Sequence, residues 1–323
     1  MKNKVLKQTT FAPIEPKFNR KPQKTKHNSK SLYHPTESRT PEDILSEIEQ
    51  KHGKSKFYML YSGGRDSGVV ADWLAENNKL AGIVHIKTNI GMKMTEDFVR
   101  DYCKQRDWKL YVVEPIPKFI YVSQVLQYGF PGPHNHRVIM GRLKYTAMQV
   151  FMNGLKDKAA CFVSGIRQSE SVRRHKNFLS PIQQDGKVWF VNPFFYVTNE
   201  EMYKMRIIKN LPVSPSYDSG LSISGDCLCG CYATYQVKDI LKKADPHLAD
   251  FIAWLEEGAR KFGAPPARRY SKWGQTSKMS EIDQQTQLDN FEKDFPNSNM
   301  EQIEIQTCTE DCGPGTMKGM TDY

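Results

Sequence analysis

The chain has 323 residues but nowhere a run of about 18 apolar ones, which excludes a membrane-spanning helix. Its basic N-terminal segment lacks the apolar stretch of a secretory signal. The seven cysteines are odd in number, and without secretion a disulfide framework is not expected. The expectation is a cytoplasmic protein with no membrane partner. Internal repeats are absent as well. Each end is short of charge of one sign. Residues 1–40 hold two acids against ten Lys/Arg, and residues 281–323 hold two Lys/Arg against ten acids. The ends cancel, so the middle carries the whole formal charge of +10. A basic middle points to a polyanionic partner or to several phosphates, with a solvated surface as the plain alternative.

What is present is an alternation. "KFYMLYS", "LAGIVHIKT", "KLYVVEP" and "AACFVSG" read as short apolar strands. Between them "DSGVVADWLAENN", "TEDFVRDYCKQRD" and "RVIMGRLKYTAMQVFMNGL" read as amphipathic helices. This pattern predicts an α/β fold with a doubly wound, mostly parallel sheet covered on both faces. "TPEDILSEIEQKHG" reads as a helix ahead of it, with a Thr cap, Pro at the first turn and a terminal Gly. The expected organisation is a flexible basic arm over 1–40, an α/β domain over 41–215, and a Cys-rich, helical extension over 216–323. That extension contains a helical hairpin interrupted near Asp245 and Pro246 and ends in an acidic tail.

The first strand runs into "SGGRDS". In a doubly wound sheet, ligands bind at the carboxyl ends of strands. Two glycines let the backbone approach a ligand, and free amides at a helix start favour an anion. The turn is no Walker A loop, since Gly-Lys-Ser/Thr is missing, and no dinucleotide fingerprint, since the third glycine is missing. A plain strand–helix turn is the bland alternative.

Ser62-Gly63-Gly64-Arg65-Asp66-Ser67 resembles the pyrophosphate (PP) loop of the adenine-nucleotide alpha-hydrolase superfamily, in particular the phosphoadenosine phosphosulfate (PAPS) reductase family. Four further stretches match in order. They are "VHIKTNIGMKMTEDFV", "YGFPGPHNHRVIMGRLKYTAM", "SGIRQSES" and the segment reaching Tyr217, Asp218 and Gly220. The resemblance covers residues 57–231 and implies chemistry at the α-phosphate of a nucleotide, or on a sulfate attached to it. It implies that Ser62, Gly63, Gly64, Arg65 and Ser67 cradle phosphates, and that Thr88, Arg137, Gly165, Glu170 and Ser171 serve the nucleotide site. Asp66 would cap the helix or help hold Mg2+. Lys144 and Arg167, with Arg137, would neutralise phosphates and developing charge. A surface salt bridge from Glu170 to a nearby Arg is the plain alternative for that residue.

Cys103 and Cys161 read as buried thiols. Cys227, Cys229, Cys231, Cys308 and Cys312 are clustered in two short segments, which suggests a metal centre. The family context favours a four-iron ([4Fe-4S]) cluster over zinc, held by four of the five. Adjacent cysteines of cluster-bearing adenosine phosphosulfate reductases are missing ahead of the Leu-Lys segment. Cys312 is either a ligand or the counterpart of the reductase nucleophile, whose motif here lacks its final His.

Three readings follow. In the first, ATP is cleaved to AMP and pyrophosphate, and a nucleic acid is activated for sulfur insertion, as in the ATP-cleaving iron–sulfur proteins of DNA phosphorothioation that the chain also resembles. "RRYSKWG" at residues 268–274, cationic and aromatic, would suit that partner, although Trp273 alone reads as core. In the second, PAPS or its analogue is reduced to sulfite through Cys312. In the third, the chain is a non-catalytic scaffold with a structural metal. A sulfur donor or a thiol electron-donor protein is the implied partner of the first two.

Overall fold

Thr40 caps α1 (Pro41–His52), accepting the Asp43 amide, while the Asp43 carboxylate takes the Thr40 amide; Gly53 ends the helix in the left-handed region at φ 60°. The structure is a computed structural model that describes residues 39–155, 157–170, 180–221, 223–233 and 235–274. The basic arm up to residue 38, the acidic tail, Ser171, Cys308 and Cys312 lie outside the described residues, as does the side chain of Glu170.

The alternation predicted from the sequence is the one observed. β1 (Lys56–Leu60), α2 (Arg65–Glu76), β2 (Leu80–Ile86), α3 (Lys93–Gln105) and β3 (Leu110–Val113) follow in turn. After α4 (Tyr121–Tyr128) and α5 (His136–Met140), a π-helical turn (Gly141–Tyr145) leads into α6 (Thr146–Leu155) and β4 (Ala160–Val163). The segment expected as one helix therefore runs through a π turn carrying Arg142 and Lys144, a distortion that often marks a working segment.

A hairpin of β5 (Ile182–Asp185) and β6 (Val188–Val191) completes a six-stranded sheet of order β3-β2-β1-β4-β6-β5. Only β5 runs antiparallel to its neighbour. The order reverses direction between β1 and β4. That is the switch point of the sheet, the place where open α/β folds bind their ligands.

One apolar core lies between α1, α2, α3 and the sheet, and a second lies under α6. A third joins α4, the loop of residues 227–231, α8 (Tyr235–Ala244) and α9 (Pro246–Phe262). The interruption expected near Asp245 is a cap: its carboxylate accepts the Leu248 amide at 3.0 Å and Pro246 opens α9. No described helix is long and apolar enough to cross a membrane.

Candidate functional site

The loop after β1 is held by its own hydroxyls. Ser62 Oγ accepts the Gly64 amide at 3.2 Å, and Ser67 Oγ donates to the Gly64 carbonyl at 3.0 Å. The two hydroxyls stand 3.4 Å apart. Gly64 is the N-cap of α2 and has no side-chain cap bond. Asp66 lies inside the first turn, so it does not cap the helix. Tyr217 closes the loop from the other side: its hydroxyl accepts the Arg65 amide at 3.3 Å, and its ring lies 4.2 Å beneath the Arg65 guanidinium. Arg65 is half-buried, and its Nε has no hydrogen-bond partner among the described residues.

Gly63 sits at φ +78°, and a Cβ there would come within 3.0 Å of Thr95 Cγ2. Gly63→Val is expected to lose about 2 kcal/mol of stability, from left-handed strain plus that contact, and to abolish nucleotide binding. Thermal melts and calorimetry with ATP check both; an unchanged melt with wild-type affinity would reject this role for the turn.

The loop after β4 meets the loop after β1 across the switch point. A Cβ on Gly165 would lie 3.1 Å from the Ser67 amide nitrogen, so only glycine permits this approach. Two residues on, Arg167 is buried. Its Nε and Nη2 donate to Asp66 Oδ2 at 2.8 and 2.5 Å. Its Nη1 donates to Ser169 Oγ at 3.1 Å and to Asn199 Oδ1 at 2.7 Å. Arg167 thus ties the β4 loop to the first turn of α2 and to α7 (Asn199–Ile208).

A second buried ion pair joins Lys144, on the π turn, to Asp226, with Nζ 2.7 Å from Oδ2 and both side chains under a tenth exposed. Ser224 Oγ donates to the other carboxylate oxygen at 2.9 Å. Burial works against the charge of Asp226, but Lys144, the Ser224 hydroxyl and His85 together outweigh it, and the carboxyl is held below its ordinary range. Thr88 faces this loop: its hydroxyl donates to the Asp226 carbonyl at 2.9 Å. Gly91 is required here, since a Cβ would strike that same oxygen. Arg137 is half-buried on α5.

His85 lies near this pair. Its Nδ1–H donates to the Tyr61 carbonyl at 2.9 Å, and burial holds its pKa below the ordinary histidine value. The unfolded chain takes up this proton at about pH 6.5, whereas the native chain does so only at lower pH. The stability tied to neutral His85 is therefore fully present above that value and lost as pH falls below it. Melting temperatures between pH 7.5 and 5.5 should fall less in His85→Asn than in the wild type; parallel curves would contradict this.

Cys227, Cys229 and Cys231 are all buried. Their loop is fixed by its surroundings. The Leu228 amide donates to the Ile90 carbonyl at 2.7 Å. Tyr121 Oη donates to the Cys229 carbonyl at 2.7 Å, and Trp273 Nε1 to the Leu228 carbonyl at 2.9 Å. The Cys227 thiol is pushed well up by its hydrogen bond with Cys229 and by burial. The donor atoms of Cys229, Cys231 and the buried His136 lie within 4.8 Å of one another and could hold a metal ion.

The structure thus brings the loops carrying Asp66, Gly165 and Arg167 together, and places Lys144 and Thr88 against Asp226. Trp273 is core, as its segment alone suggested, and Tyr270 is buried too. "RRYSKWG" therefore offers no ring for stacking on a base. The sequence reading did not include Asp226 or His136. Asp226 directly precedes Cys227, and His136 stands ahead of the Leu-Lys segment.

The family model for the phosphoadenosine phosphosulfate reductase domain matches residues 56–233. The chain belongs to this family. No curated protein matches it at a significant level. Among solved structures it is similar to the phosphoadenylyl-sulfate (PAPS) reductase of Candida auris in its phosphate complex. Identity is 16%, with 56% of this chain and 85% of that one covered, at a TM-score of 0.42. The FMN adenylyltransferase of Candida glabrata, with FMN and an ATP analogue, is 17% identical over 57% of this chain, at a TM-score of 0.40; the match spans 58% of that enzyme. The U34-tRNA thiolase of Methanococcus maripaludis with its [4Fe-4S] cluster is 16% identical over 67% of this chain and 79% of that one, at a TM-score of 0.32.

Proposed function

We propose that the chain binds ATP at the loop of residues 62–67 and acts at its α-phosphate, releasing pyrophosphate and activating a nucleic-acid phosphate for attack by sulfur. The observation that carries this reading is the meeting of the two loops at the switch point of the sheet, locked by Arg167 and Asp66. Ligands of open α/β sheets bind at that point. There the Ser62 hydroxyl and the start of α2 present donors to an anion. Arg65, half-buried with an Nε that has no partner among the described residues, is the loop's own cation for a phosphate oxygen.

Arg167 and Lys144 act on the phosphates from behind. Each is paired with a carboxylate, so each fixes a wall of the site and contributes little net charge. Both donors of Arg167 to Asp66 fall on Oδ2, which leaves Oδ1 as the loop's oxygen for a Mg2+ ion arriving with the nucleotide. Such an ion would supply charge neutralisation at the triphosphate.

An oxygen of the acceptor attacks the α-phosphorus and pyrophosphate leaves. A nucleophilic sulfide from a donor protein then displaces AMP. The basic middle of the chain supports a polyanionic acceptor. The family match itself favours a second reading, reduction of PAPS to sulfite; that chemistry would use Cys312, outside the described residues.

Anaerobic protein offered ATP and PAPS side by side separates the two. Pyrophosphate from ATP, stimulated by DNA or RNA and weakened steeply by salt, is expected. Sulfite from PAPS with a thiol reductant, and no pyrophosphate from ATP, would overturn the proposal.

A further inference from the structure

Three groups converge beside the third core: the imidazole of His136, at the start of α5, and the thiols of Cys229 and Cys231. His136, Cys229 and Cys231 are almost completely buried in an otherwise apolar cluster. The neighbours are built around them. Gly230 sits at φ +85°, where a Cβ would strike the Trp273 ring at 2.7 Å. That indole covers the loop and ties down its Leu228 carbonyl. Tyr232 packs edge-on against His136, with ring centroids 5.0 Å apart. The loop is thus fixed by these contacts, with the donor atoms of Cys229 and Cys231 close to that of His136.

We propose that His136, Cys229 and Cys231 bind a single zinc-type divalent ion, with Cys227 as the fourth ligand. Two or three thiolates and one imidazole form a donor set that zinc favours. The closeness of the donors favours one ion over an iron cluster. Ligands at 2.0–2.3 Å from one tetrahedral ion stand roughly 3.4–3.8 Å apart. The donor atoms of His136, Cys229 and Cys231 already lie within 4.8 Å of one another. In a four-iron cluster each thiolate binds a different iron, so the donors are spread around a larger body. Cys227 is the adjacent thiol, hydrogen-bonded to Cys229.

The ion would have a mechanical role. His136 and Lys144 belong to one helical run, α5 and its π turn. Asp226 and Cys227 are consecutive in the loop. An ion joining His136 to Cys229 and Cys231 staples that run to that loop, and so holds Lys144 opposite Asp226. Any consequence for the nucleotide rests on the function proposed above; the ion site itself does not.

The test uses the full chain, purified anaerobically without chelator from zinc-supplemented cells. About one zinc per chain is expected, with little iron or acid-labile sulfide. Cobalt titrated into metal-free protein should give a tetrahedral spectrum with thiolate charge-transfer bands. His136→Ala should bind cobalt at least tenfold more weakly, and zinc should no longer raise its melting temperature as it does in the wild type. His136→Cys, which keeps a ligand atom, should regain binding with a stronger thiolate band, a result that a merely structural histidine would not produce. Unchanged cobalt affinity and spectrum in His136→Ala would overturn the proposal, as would four irons per chain with no zinc. ATP cleavage is read separately. A chain that binds zinc through His136 but releases no pyrophosphate would end the proposed function and leave this site standing.

Discussion

Lys144→Met is expected to destabilise the protein by about 3–5 kcal/mol, because it leaves the Asp226 carboxylate buried without its counter-ion. The side chains of the pair are 6% and 8% exposed, so water cannot take over from the ammonium. Methionine keeps the length and apolar stem of lysine, which confines the change to charge and hydrogen bonding. Asp226→Asn alone should also destabilise, by burying an unpaired ammonium. The double variant should recover much of the loss, since replacing both members of a buried pair is far milder than removing one. The two single effects should therefore exceed the double effect by more than about 1 kcal/mol.

The pH dependence gives a second signature. In the wild type, Asp226 has a depressed folded pKa, so its contribution is present above the unfolded value of about 3.9 and lost as pH falls through the folded one. Without Lys144, burial is left to raise that pKa, and protonation relieves the variant at higher pH than the wild type. The stability gap should narrow as pH is lowered from 7 toward 4. Additive single variants with a constant gap would show that the pair is not coupled.

The sheet was legible because its strands are apolar runs separated by amphipathic helices. The Thr40 cap, the Pro at the start of α1 and the closing Gly53 all act in the structure as the sequence suggests. The β5–β6 hairpin was missed, although Asp185-Gly186 is a strong turn signal and Gly186 takes φ +58°. Its first strand, "IQQD", is polar and half-exposed at the sheet edge, so it lacks the apolar run by which the other strands were read.

The site was legible where its signal is local. Ser62, Gly63 and Ser67 lie in six residues and form one loop. Ion pairs between distant residues were not legible: Asp226 and Lys144 are 82 positions apart, and Asp66 and Arg167 are 101 apart. Lys144, Asp66 and Arg167 each read alone as a candidate phosphate or metal contact, and Asp226 gives no signal of its own. Only the fold shows that the cations are already committed to carboxylates. In the same way, "RRYSKWG" reads as a stacking surface until Tyr270 and Trp273 are seen to be buried.

Arg167→Lys is expected to cut pyrophosphate release by roughly 10- to 150-fold, the equivalent of one lost charge-assisted hydrogen bond at about 1.5–3 kcal/mol. The argument is geometric. The guanidinium spans two directions at once, with Nε and Nη2 on Asp66 and Nη1 on Ser169 and Asn199. Lysine offers one nitrogen on a flexible stem and cannot hold both. If it stays with Asp66, the β4 loop loses its tie to α7; if it reaches Asn199, Asp66 is left uncompensated at the head of α2. Either way the two loops at the switch point lose their register, and Ser67 no longer faces Gly165 at its present distance. Because Arg167 acts through Asp66 and the loops, the loss should fall mainly on kcat, with a smaller rise in KM for ATP. Asn199→Ala removes one of the two anchors and should give a milder fall of the same kind. Arg167→Ala, which leaves Asp66 without its cation, should cost more in melting temperature than Arg167→Lys. Wild-type turnover in Arg167→Lys would show that the lock between the loops is not needed for catalysis.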